Sequence, residues 1–145
     1  MRTINKVVLA VFAALVMMTT ISYAAKPVIM NNDAELIWKD VNNLPAGAKV
    51  AILSGNPEKR EAFVARIKLP ANYEIPAHAH PINEAETVIS GNIIFKLNDK
   101  NLPAEISLKS GDFIMIPAKM MHASYTKEET IVQITGMGPW GMIKR

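Results

Sequence analysis

At 145 residues, with half of them hydrophobic, a fifth charged and no cysteine, the chain has the length of one domain and enough apolar residues to build a core. That composition excludes wholesale disorder, collagen-like repeats and a disulfide-stapled miniprotein, so the fold must stand on packing or metal. A net charge of +3 raises the question of a polyanion-binding surface, and the placement of the basic residues answers it.

Arg2 and Lys6 open the chain, and an uncharged apolar run from Val7 to Met18 follows them. Behind it come Thr19, Thr20 and Ile21, then the small-residue site Ser22-Tyr23-Ala24. A basic start, a short apolar stretch and small side chains at −3 and −1 read as a secretory signal peptide cut after Ala24, with Ala25 as the first mature residue. The run is short for a bilayer span of ~20 residues, so a retained anchor is the lesser reading. Removing 1–24 takes away two of the 16 basic residues and none of the 13 acidic ones, leaving +1. A general nucleic-acid surface then loses its support. The expected location is periplasmic or secreted, with no membrane contact after cleavage, and the absence of cysteine rules out thiol chemistry.

Past a leading arm at 25–35, the chain has no helix-length apolar periodicity. Short apolar or alternating runs recur instead, bounded by Pro, Gly, Asn and Asp. Strands are predicted at 36–41, 49–53, 62–69, 86–90, 92–97, 105–108, 112–116, 122–125, 130–135 and 140–143. Turn-forming sequences separate them, among them Leu44-Pro45-Ala46-Gly47, Ser90-Gly91-Asn92 and Ser110-Gly111-Asp112. So many short strands in one small domain imply an all-β sandwich or barrel.

The three histidines carry the chemistry. In His78-Ala79-His80 a strand points both imidazoles to one face, because side chains alternate with period two. Glu84 follows four residues later, after Pro81, where a turn can bring its carboxylate back, and His122 can complete the set from another strand. Neutral imidazole nitrogen with carboxylate oxygen suits borderline divalent metals such as zinc, iron, manganese, nickel or copper. Glu86 shares strand parity with Glu84, so both can face inward, and a buried second carboxylate is expected to have a raised pKa. Gln133, in a late strand with the parity of Ile131 and Thr135, is expected as a hydrogen-bonding residue of the pocket. Phe95, Met115, Met120, Met121 and Trp140 are expected in the barrel core or on a dimer surface.

The run from Asn72 to Gly91, containing His78, His80 and Glu84, resembles the first motif of the cupin superfamily, and the run from Gly111 to His122 resembles the second. In the first, Asn72 stands where a glycine is usual, and asparagine tolerates positive φ. In the second, Lys119 replaces the glycine of Pro-x-Gly, and Thr126 stands where asparagine is common. The resemblance implies an antiparallel double-sheet jelly-roll barrel over 25–145, with His78, His80, Glu84 and His122 holding one divalent metal; the strand parity of Glu86 with Glu84 makes it the candidate acid/base group beside that metal. It implies a small-molecule ligand or substrate at the barrel mouth and leaves room for a homodimer. Two function classes follow. One is a metalloenzyme, an oxygenase or a hydrolase/isomerase acting on a small polar metabolite; the other is a non-catalytic ligand- or metal-binding module.

Overall fold

The computed structural model describes residue 29 and residues 33–144. The proposed signal peptide and most of the leading arm lie outside the described residues, among which no helix is long and apolar enough to cross a membrane. Among the described residues a single 3-10 turn at Asp33–Glu35 precedes eleven strands. They are β1 (Lys39–Asp40), β2 (Lys49–Ser54), β3 (Ala62–Leu69), β4 (Glu74–Ala79), β5 (Glu84–Ser90) and β6 (Asn92–Leu97), then β7 (Ile106–Lys109), β8 (Phe113–Ile116), β9 (His122–Thr126), β10 (Thr130–Met137) and β11 (Ile143–Lys144).

Two antiparallel sheets face each other as a jelly roll, with strand orders β1-β2-β3-β10-β5-β8 and β11-β4-β9-β6-β7. Period-two alternation builds the core. Along β3 it buries Phe63, Ala65, Ile67 and Leu69 and leaves Val64, Arg66 and Lys68 on the other side. Val88, Ile93, Phe95, Ile116, Val132 and Ile134 meet them from both sheets. The same alternation carries a consequence on β5: its inward positions are Glu84, Glu86 and Val88, so two carboxylates enter an otherwise apolar interior.

The strands depart from the sequence reading at four places. Residues 74–79 form β4 although Pro76 argues against a strand; a register shift against β9 between Ile75 and His78 accommodates the residue that cannot donate to the ladder. Strand β5 begins at Glu84 rather than 86, which puts the first carboxylate inside regular structure. The stretch predicted as a strand at 140–143 pairs only at Ile143–Lys144, because Trp140 N–H donates to the Pro57 carbonyl at 2.6 Å and holds the chain across the barrel end. At the start, 36–41 reduces to the two residues of β1.

The motif departures resolve as backbone geometry. Asn72 has φ 55° and Lys119 φ 66°, so both glycine substitutes sit in the left-handed region. Thr126 is buried, accepts from Tyr73 N–H at 3.2 Å and donates to the Pro70 carbonyl at 2.6 Å, tying the Asn72 turn to β9. Lys119 N–H donates to the His80 carbonyl at 2.7 Å, while Asn83 Oδ1 accepts from Ala118 N–H at 2.8 Å, so the strained turn pins the segment carrying His80. Lys119→Gly is expected to stabilise the fold by about 1 kcal/mol, or roughly 4 °C in melting temperature, with metal content unchanged. A lower melting temperature in calorimetry would show that this backbone is not strained.

Candidate metal centre

Strand β4 delivers His78, and His80 follows at its end; β9 begins with His122, directly opposite His78 in the ladder. Glu84 opens β5 in the other sheet. The four side chains therefore meet across the two sheets, and all are buried, Glu84 with only 2 % of its surface exposed. His78 Nε2 lies 3.1 Å from His80 Nε2, and Glu84 Oε2 lies 3.3 Å from His80 Nε2 and 3.9 Å from His122 Nε2.

Each imidazole is oriented from behind. His78 Nδ1 lies 2.8 Å from the Pro76 carbonyl, His80 Nδ1 2.6 Å from that of Gly141, and His122 Nδ1 3.0 Å from that of Met120. A carbonyl only accepts, so each Nδ1 carries the proton and donates, and each Nε2 turns a lone pair toward the centre. Burial lowers the pKa of His78, and it brings His80 and His122 down to about 4, so the rings are neutral at neutral pH. Two Nε2 lone pairs 3.1 Å apart repel each other without a cation between them. Three neutral nitrogens and a carboxylate oxygen are a donor set that fits one divalent metal.

The carboxylates divide their tasks. Glu84 Oε1 accepts from Trp140 Nε1–H at 2.8 Å, which leaves Oε2 facing the imidazoles. Burial pushes its pKa up to about 7, against the lowering effect of the bonds to Trp140 and Glu86. Glu86, one inward position further along β5, is raised well above the usual carboxylate range by burial and by the charge of Glu84, to which it hydrogen-bonds. Of the two, Glu86 is the more strongly biased toward its protonated form. Glu84, Glu86 and His122 also bring their donor atoms within 4.8 Å of one another.

The cluster lies in a cavity of about 250 Å³ with apolar walls that include Val50, Ile67, Ile75, Phe95 and Ile134. Trp140 packs against the core as expected, 5.5 Å from the Phe63 ring, and also lines the cavity, 5.8 Å from the His80 ring. Gln133 is a correction. It pairs with Arg66 on β3 and its Oε1 accepts from Arg66 Nε at 3.3 Å, whereas Val132 and Ile134 on either side line the cavity, so Gln133 is on the opposite face and outside the pocket. Met115 is exposed, and Phe95 is core as expected.

Trp140 and the Gly141 carbonyl are the residues that sequence reasoning missed. Their segment is held by Gly138, whose N–H donates to the Glu61 carbonyl at 2.9 Å; a Cβ there would lie 2.1 Å from the Lys59 carbonyl oxygen, which reserves the position for glycine. Gly-Pro-Trp-Gly at 138–141 is the signal that could have marked a close backbone crossing.

Residues 65–135 match the family model described as a cupin domain. Among solved structures, an RmlC-like cupin from Shewanella frigidimarina NCIMB 400 is similar at TM-score 0.60 and 19% identity, with 73% of this chain and 86% of that one covered. The polyketide cyclase RemF from Streptomyces resistomycificus is similar at TM-score 0.66 and 15% identity, over 80% of this chain and 84% of that one. The DMSP lyase DddQ from Ruegeria pomeroyi DSS-3 is similar at TM-score 0.59 and 20% identity, over 72% of this chain and 57% of that one. A sequence search of curated proteins finds no match. Sheet topology and structural likeness agree on the cupin jelly-roll fold, and residues 65–135, just under half of the chain, match the cupin domain model.

Proposed function

We propose that this is an exported, metal-dependent cupin that binds a small molecule through His78, His80, Glu84 and His122 and moves a proton on it with Glu86. The observation that carries the reading is the convergence of three Nε2 lone pairs and Glu84 Oε2 at the base of an apolar cavity. Export rests on the Arg2/Lys6 start and the apolar run, and N-terminal sequencing of the native protein tests it, with Ala25 expected first and an intact Met1 against.

A divalent metal here would supply Lewis acidity to an oxygen of the bound molecule. The chain's own residues supply the rest. The apolar walls exclude water and hold the body of the ligand. Glu84 is fixed by Trp140 and is committed to the cluster, whereas Glu86 has no such restraint from Trp140 and is biased toward its protonated form beside the same space. That division favours a redox-neutral proton transfer, of the hydrolase/isomerase kind, over an oxygenase. A cyclase and a lyase among the structural neighbours agree with it, but the carboxyl group carries the argument.

Glu86→Gln tests the reading. It keeps the shape and a hydrogen bond while removing the proton exchange, so metal per chain should stay the same. In its ionised form Glu86 takes a methyl proton of pyruvate and returns a solvent deuteron, so exchange with deuterated water, followed by NMR, should be faster with wild type than with buffer, rise with pH as Glu86 ionises, and fall about 100-fold in the variant. Undiminished exchange in the variant would remove Glu86 from the mechanism. Loss of metal in Glu86→Gln but not in Glu84→Gln would swap the ligand assignment. Binding without any exchange in wild type would leave a binding module.

A further inference from the structure

The cavity of the donor cluster adjoins a second chamber of about 430 Å³, and Asn43, Leu44, His78 and Met142 belong to the walls of both. The two differ in character. Apart from the donor cluster and Glu86, the inner one has mainly apolar walls, with Glu58 as a further charged residue; the outer one is walled by Asn42, Pro45 and Pro76 and carries one lysine, Lys144.

Lys144 is placed there by register. On β11 it stands opposite His78 of β4, and cross-strand partners of an antiparallel ladder project to the same side of the sheet. Its ammonium therefore sits on the side of the sheet that carries the donor cluster, near enough for its charge to be felt at the His78 ring. Among the described residues no carboxylate forms an ion pair with Lys144, and no carboxylate lines the outer chamber. An ammonium with no carboxylate partner among the described residues, on the wall of a chamber that adjoins an apolar one, attracts an anionic group and orients it away from Glu58.

We propose that Lys144 is a specificity-determining residue which binds a carboxylate of the ligand in the outer chamber while the ligand's other end reaches the histidine cluster through the inner one. The ligand class is a short acid with an oxygen-donor group at each end and an apolar spacer between. Among the described residues Lys144 is the one cation on the walls of the outer chamber, and one ammonium matches the single charge of a carboxylate better than the double charge of a phosphate. The inference rests on the metal-site reading above and adds to it the half of the ligand that the metal does not touch.

Calorimetric titration of the full chain with glutarate, and with butyrate as its one-ended counterpart, tests the assignment. Metal-loaded wild type should bind glutarate at least about tenfold more tightly than butyrate, with the advantage shrinking as salt is added. Lys144→Gln should lose that tenfold for glutarate while its metal content and butyrate affinity stay within about twofold, and Lys144→Arg should restore it. Glutarate binding no tighter than butyrate in wild type, or unchanged in Lys144→Gln, overturns the proposal. An equal loss of both acids overturns it too, since that is damage to the barrel end. Failure of the metal-site reading looks different: both acids would then bind equally well to protein stripped of metal.

Discussion

Replacing both His78 and His80 with alanine gives a folded protein that purifies without stoichiometric metal and whose melting temperature no longer responds to added divalent metal. Two of the three converging Nε2 donors are gone, and Glu84 Oε2 and His122 Nε2, 3.9 Å apart, are left with Glu86, whose raised pKa makes it a poor third ligand. In wild type, metal that binds only the folded state stabilises it by about 2.7 kcal/mol at a free concentration 100 times its dissociation constant. For a domain of this size that is roughly 10 °C of melting temperature, an effect the double variant should lack. In the metal-free state the variant gains relief from two buried lone pairs that face each other at 3.1 Å, which offsets part of the cost of losing two buried rings and their bonds to the Pro76 and Gly141 carbonyls. Elemental analysis together with scanning calorimetry, with and without manganese or zinc, decides the matter. Stoichiometric metal retained by the double variant would mean that the cluster is not the metal site.

The donor set was legible because it is written locally. His78, His80 and Glu84 fall within seven residues, and alternation alone aims them, while His122 sits at a fixed distance from its turn. Reading Glu86 as inward-facing used the same period and agrees with its burial. Gln133 failed by the same rule applied to the wrong reference. Ile131 is apolar and buried, which made its parity look inward, but it pairs with Lys68 as Gln133 pairs with Arg66, and the inward set of β10 is Thr130, Val132 and Ile134. What fixes the site from behind was not legible at all. Trp140 and Gly141 lie 56 and 61 residues from Glu84 and His80, the groups they hold, and reach them only because the chain end crosses the barrel mouth. No period or spacing encodes that crossing; it depends on contacts between 57–61 and 138–140 that exist only once both sheets are formed.

Trp140→Phe isolates the contribution of that crossing. Phenylalanine keeps an aromatic ring against Phe63 and preserves most of the cavity wall, and removes one N–H. Glu84 Oε1 then loses its donor while buried, its carboxylate is less firmly aimed, and metal affinity should fall about 10- to 100-fold. The loss should depend on pH with a definite sign. Burial already raises the Glu84 pKa to about 7, and the bond from Trp140 opposes that rise, so its removal sends the pKa higher. Metal needs the ionised carboxylate, and below the folded-state pKa each binding event must first displace a proton. The penalty of Trp140→Phe should therefore be largest near pH 6 and shrink as pH rises through and beyond the pKa of the variant's Glu84. Competition against a chelator of known affinity at pH 6 and pH 8.5 measures both numbers. A penalty equal at the two values would assign Trp140 to packing alone; no penalty at either would mean that Glu84 is not held for metal at all.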